Sequence, residues 1–130
     1  MDNLELQLPA VSTAAPAGLY NLSMLQEMDD DEYLLDVLGI LVKQTANDFG
    51  EMKNALQAGK IDVVCKQAHK IKGSAGIIQA EGLITLLAAI EVVGKKEIIN
   101  SELTGLVDNA TRQYSNIEKA LKIDIAALRT

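Results

Sequence analysis

His69 is the only histidine in the chain and Cys65 the only cysteine. A zinc site or a nucleophilic triad needs more ligands or partners than one of each. A single imidazole is still a capable nucleophile. With an ordinary pKa of about 6.5, an imidazole is substantially neutral at pH 7 and keeps one ring nitrogen free as a nucleophile. The residues spaced around His69 suit that chemistry. Placed at about 100° intervals on a helix, Val64, Ile71 and Ile78 fall on the side opposite His69, so His69 is predicted to face solvent. Its own face holds Asp62, Lys66, Gly73 and Gly76, with Lys72 and Cys65 on the flanks. Glycine in a helix interior costs about 1 kcal/mol relative to alanine, and two glycines beside an exposed histidine imply that something must approach closely there.

The charged neighbours have readable roles. Lys72, one turn beyond His69, can bring an ammonium to negative charge that develops beside the imidazole. Lys66 and Lys70 make this surface locally basic within an acidic protein, which fits an acidic partner. Glu91 is the one charged residue between Leu83 and Val93, and a carboxylate in so apolar a stretch needs a partner or an exposed edge. Ser74 falls toward the buried side of the wheel and reads as a small packing residue. Cys65 reads as a small, semi-buried residue.

The elements that must position these groups are all helical. After Gly18 no stretch shows the two-residue alternation of strands, while apolar residues recur at three and four positions nearly to the end of the chain. A short helix is predicted from Ser23 to Met28 with Ser23 as N-cap. The acidic run Asp29 to Glu32 then opens a long helix that reaches about Ala58 and stops at Gly59. That run is not a calcium loop, because Leu34 stands where the loop's sixth-position glycine belongs; the acids complement the helix dipole. A third helix is expected from about Ile61 to Ile78, and a fourth from about Glu81 to Val93, with Gly94 as its C-terminal stop. Asn100 or Ser101 caps the last, which presents Leu103, Leu106, Val107, Ala110, Tyr114, Ile117, Leu121 and Ile125 on one broad stripe and runs to about Leu128. Short connections between four substantial helices predict an all-α, antiparallel four-helix bundle with a short additional N-terminal helix over residues 19–130, preceded by a flexible leader over 1–18.

Composition narrows the function classes. The chain has 130 residues, 48% hydrophobic and 23% charged, which is enough for one core without disulfides or metal. Aromatics are only 3%, so aliphatic side chains must build that core. A net charge of −6 argues against nucleic acid or an anionic membrane surface as partner. The longest apolar run, Leu83 to Val93, is about half the ~20 residues of a membrane-spanning helix, so no membrane insertion is expected. The lone cysteine fits a reducing, cytoplasmic setting. No phosphate-binding loop of the Gly-x-x-x-x-Gly-Lys-Ser/Thr kind is present, so no nucleotide site is expected.

Residues 68–76 read Ala-His-Lys-Ile-Lys-Gly-Ser-Ala-Gly. This resembles the signature of histidine-containing phosphotransfer domains, the HPt family, in which Ala-His is followed by a variable residue, an aliphatic and Lys-Gly-Ser. Ala80, Leu83, Leu86, Ile90 and Glu91 look like the family's next block, and Ala55, Leu56, Ala58 and Gly59 are similar to its upstream helix end. The resemblance spans roughly Leu19 to the C-terminus. It implies a phosphorelay intermediate, not an enzyme with an ATP site and without cofactors: His69 takes a phosphoryl group from a receiver-domain aspartate and passes it to another. Lys72 would offset phosphoryl charge, while Lys66, Lys70, Gly73 and Gly76 would form the receiver docking face. In similar domains of chemotaxis kinases a residue spaced like Glu91 accepts a hydrogen bond from the active histidine. Partners implied are response-regulator receivers or a hybrid histidine kinase, met by a monomer.

One residue departs from the pattern. Gln79 stands where the family commonly has glycine, at the end of the histidine helix, and a left-handed turn costs glutamine more than glycine. Two rivals remain in view. The dimerising histidine helix of sensor kinases usually has Glu and a proline after the histidine, against which stand Lys70 and the absence of proline beyond Pro16. A helical docking module that binds receivers or other partners without accepting phosphate is the alternative function.

Overall fold

The computed structural model describes residues 19–129, so the leader expected over 1–18 lies outside the described residues. Five helices follow in order: α1 (Ser23–Gln26), α2 (Asp31–Gln57), α3 (Ile61–Ile77), α4 (Glu81–Gly94) and α5 (Ser101–Leu128). Each of α2 to α5 packs on its neighbours in sequence, and α5 closes the ring against α2. The result is the expected all-α bundle with α1 as a short addition. Its interior is mostly aliphatic, with Leu38, Met52, Ile71, Leu87, Ile90, Leu103, Ile117 and Leu121 fully buried. Phe49 and Tyr114 stack with ring centroids 5.2 Å apart and join α2 to α5.

The long helices begin where short polar side chains can satisfy their free N–H groups. Asp30 Oδ1 accepts from Tyr33 N at 3.0 Å, and Asn100 Oδ1 accepts from Leu103 N at 2.9 Å. Ser23 is not an N-cap: it is the first residue of α1, and Asn21 Oδ1 accepts its backbone N–H at 2.8 Å. Asparagine one position outside the turn reaches the free donor, so serine is not required. α1 also ends at Gln26, short of Met28, because Asp29 takes a left-handed conformation (φ 53°) that breaks the run before Asp30 caps α2.

Two helices end in the same turn. After α2, Gly59 N bonds to Leu56 O and Lys60 N to Ala55 O, with Gly59 at φ +78°. After α3, Gln79 N bonds to Gly76 O and Ala80 N to Ala75 O, with Gln79 at φ 52°. Both are Schellman turns, which call for a left-handed residue. Gln79 therefore adopts the glycine-like conformation, and local contacts hold it there. Ala80 is fully buried behind it, and Asn21 N donates to Ile78 O at 2.8 Å. Asn21 belongs to a segment that straps the bundle: the hydroxyl of Tyr20 donates to Asp124 Oδ2 of α5, and Leu22 is buried.

Gly94 does not stop α4 by turning left-handed. It is the buried last residue of the helix, and an added Cβ would stand 2.2 Å from Cys65 Sγ. Close packing of α4 on α3 requires the glycine, and the left-handed turn is made by Glu97 (φ 57°). No helix among the described residues is long and apolar enough to cross a membrane.

Candidate functional site

α3 buries Val64, Ala68, Ile71 and Ala75 against its neighbours, which turns the ridge through His69 outward. The His69 side chain is 75% exposed. Antiparallel packing of α4 brings Glu91 level with it from the next helix. Glu91 Oε2 lies 3.0 Å from His69 Nδ1, and Oε1 accepts from Lys72 Nζ at 2.5 Å. One carboxylate thus bridges the histidine and the lysine that lie one turn apart on α3.

The protonation of this trio follows from its geometry. Partial burial of Glu91 opposes ionisation, but the hydrogen bonds from Lys72 and His69, together with their charges, outweigh it and hold the carboxyl below the ordinary carboxylate range. An ionised carboxylate only accepts hydrogen bonds, so Nδ1 must carry the proton. Nε2 is then the ring nitrogen with a lone pair, and it has no partner among the described residues.

The glycines on this face are open. A Cβ on Gly73 or Gly76 would meet nothing within 4 Å, so neither residue is required by packing within the chain. Ser74 is half-buried at the seam with α2, where Val37, Ile40, Leu41, Gln44 and Ile77 complete a shallow, mainly apolar groove. Ile40 and Ile77 stand exposed along it. Cys65 lies half-buried under Gly94; burial first, then the charges of Glu91 and Asp62, push its thiol pKa up, which leaves it a poor nucleophile.

The three lysines have separate fates. Lys72 is bound to Glu91, and Lys70 turns toward α2, where Nζ lies 3.2 Å from Oδ1 of the fully buried Asp48. Lys66 is exposed and makes no ion pair among the described residues. Asp48 was not singled out from sequence. Its signal was available, since it lies in phase with the apolar stripe Leu41, Thr45, Phe49 and Met52 of α2, where a carboxylate demands a counter-charge. Among the described residues no group of three His, Cys, Asp or Glu side chains could hold a metal ion.

A bundle whose third helix exposes one histidine, oriented by a carboxylate from the fourth, matches a known class. The sequence profile of the Hpt domain matches residues 36–130, and the chain belongs to this family of phosphotransfer intermediates in phosphorelays. Among solved structures the fold is similar to the crystal structure of histidine-containing phosphotransfer protein B from Pseudomonas aeruginosa PAO1. That match has 22% identity and a TM-score of 0.78, covering 86% of this chain and 98% of the other. No curated protein sequence matches the chain.

Proposed function

We propose that His69 receives a phosphoryl group from the aspartyl phosphate of one receiver domain and delivers it to the aspartate of another. The observation that carries this reading is the exposed imidazole whose Nδ1 is hydrogen-bonded to Glu91 while Nε2 has no partner among the described residues. In the forward step the Nε2 lone pair attacks phosphorus, an N–P bond forms, and the P–O bond to the donor carboxylate breaks, releasing that carboxylate. The imidazole becomes a cation that keeps its Nδ1 proton, and the adjacent Glu91 carboxylate stabilises the new charge. The reverse step onto a second aspartate restores the neutral ring. Lys72 shares its ammonium between Glu91 and the incoming phosphoryl oxygens. Gly73 and Gly76 leave the clearance for a receiver pocket to reach Nε2.

The test is transfer from a phosphorylated receiver domain. Acid-labile, alkali-stable label should appear on the wild-type chain and vanish in His69→Gln; unchanged label in that variant sinks the proposal. The groove along Ile40 and Ile77 favours one other reading, a module that docks receivers without accepting phosphate. Receiver binding by the wild-type chain with no label at all would decide for it.

A further inference from the structure

Lys66, Lys70 and Lys72 lie within one turn of His69 on either side, and a sequence reading treats the first two alike. Their surroundings differ. Asp48 is 0% exposed, and its Oδ1 accepts from Lys70 at 3.2 Å and from Gln44 Nε2 at 3.2 Å, while Oδ2 has no hydrogen-bond partner. Among the described residues Lys70 is the only cation paired with Asp48. Glu51 accepts from the buried Gln67 at 3.1 Å one turn along the same α2–α3 seam, so two polar rungs flank the histidine turn from the α2 side. Removing one partner of a buried pair leaves the other charge desolvated and unpaired, and this holds Lys70 in place. Lys72 is paired with the half-buried Glu91 on the α4 side. Lys66 remains, exposed, one turn before His69 and paired with no carboxylate among the described residues.

We infer that Lys66 is the residue that reads the acidic surface of a docking receiver, and that Lys70 is withdrawn from docking to serve as the internal counter-charge of Asp48. This rests on the phosphorelay reading for the nature of the partner. The physical basis is that an uncommitted ammonium on the rim meets an incoming carboxylate without first breaking a pair. A net charge of −6 makes such a local cation more important, because the rest of the molecule repels an acidic partner.

The experiment measures Kd for an unphosphorylated receiver domain at several salt concentrations, alongside thermal unfolding, so docking is read without requiring transfer. Lys66→Gln should raise Kd about fivefold and flatten its salt dependence with no change in Tm. Lys119→Gln, an exposed control on α5, the helix that packs on α2 and α4, should leave Kd unchanged. Lys70→Met should lower Tm by about 5 °C or more, and Asp48→Asn in the same chain should restore most of that loss. The inference is overturned if Lys66→Gln leaves Kd and its salt dependence unaltered, or if Lys119→Gln matches it. It is equally overturned if Lys70→Met raises Kd as much as Lys66→Gln while Tm stays constant, or if no receiver binds. Absence of label on His69 with these binding effects intact would instead remove the transfer reading alone.

Discussion

Glu91 Oε2 lies 3.0 Å from His69 Nδ1 across the seam between α3 and α4, and the same carboxylate holds Lys72 with its other oxygen. The proton on the His69 ring is thus held at Nδ1 by a residue 22 positions away in sequence. Its removal frees both ring nitrogens to exchange the proton. Glu91→Ala is expected to slow phosphoryl transfer by about 10- to 100-fold while the fold persists, an order typical of a lost orienting or charge-stabilising group. Nitrogen NMR of His69 should show the Nδ1–H form dominant in the wild type and a mixture in the variant. A dominant Nδ1–H form in both would mean that Glu91 does not orient the ring.

The same carboxylate predicts a pH dependence. Because the folded state holds the Glu91 carboxyl below its unfolded value of about 4.3, the contribution to stability is present in full above that value. It is lost as pH falls through the lower folded value. The difference in Tm between wild type and Glu91→Ala should therefore be constant near neutrality and close in acid, below about pH 4. A difference that widens as pH falls would contradict the direction of the shift.

Gly73 separates stability from function. With open space where its Cβ would be, Gly73→Ala should stabilise α3 by up to about 1 kcal/mol through helix propensity alone. Transfer should slow nonetheless, and Gly73→Leu should slow it further with the fold intact, because bulk then stands between Nε2 and a docked receiver. Thermal unfolding and transfer rates on the same samples check this, and a Gly73→Leu chain that transfers normally would make the glycine incidental.

Gly59 and Gln79 occupy equivalent positions in two identical turns, so they form a matched experiment. Gln79→Gly should stabilise by about 0.5–1 kcal/mol, the relief of a left-handed side-chain penalty less the entropy glycine adds to the unfolded chain. Gly59→Gln should destabilise by a similar amount. Denaturant melts of both variants measure the pair, and equal stability of Gln79→Gly and wild type would place the compensation in the strap through Asn21.

At the other end of α3, Gly94→Ala should cost about 1–3 kcal/mol, since the new methyl collides with Cys65 Sγ. Cys65→Ala in the same chain should recover most of that loss, because it removes the sulfur without placing a glycine inside α3. Failure of the double variant to recover would mean that the backbone, not the sulfur, resists the methyl.

Local rules sufficed wherever cause and effect lie within one helix. The exposure of His69 follows from the phase of Val64, Ile71 and Ile78, and the starts of α2 and α5 follow from Asp30 and Asn100, each reaching a backbone N–H three residues on. Gly59 ended α2 for the same reason. Gly94 misled because a glycine near a helix end serves a turn or a close contact, and only the neighbouring helix tells which. Gln79 was marked as the misfit, but its left-handed backbone depends on the buried Ala80 and the crossing strap. The commitments of Lys70 to Asp48 and of Lys72 to Glu91 lie between helices, where register and rotation decide which charges meet. His69 as an exposed imidazole was written in the order of residues. Which of its nitrogens is left free, and which of its lysines is left uncommitted, was decided by how α2, α3 and α4 pack.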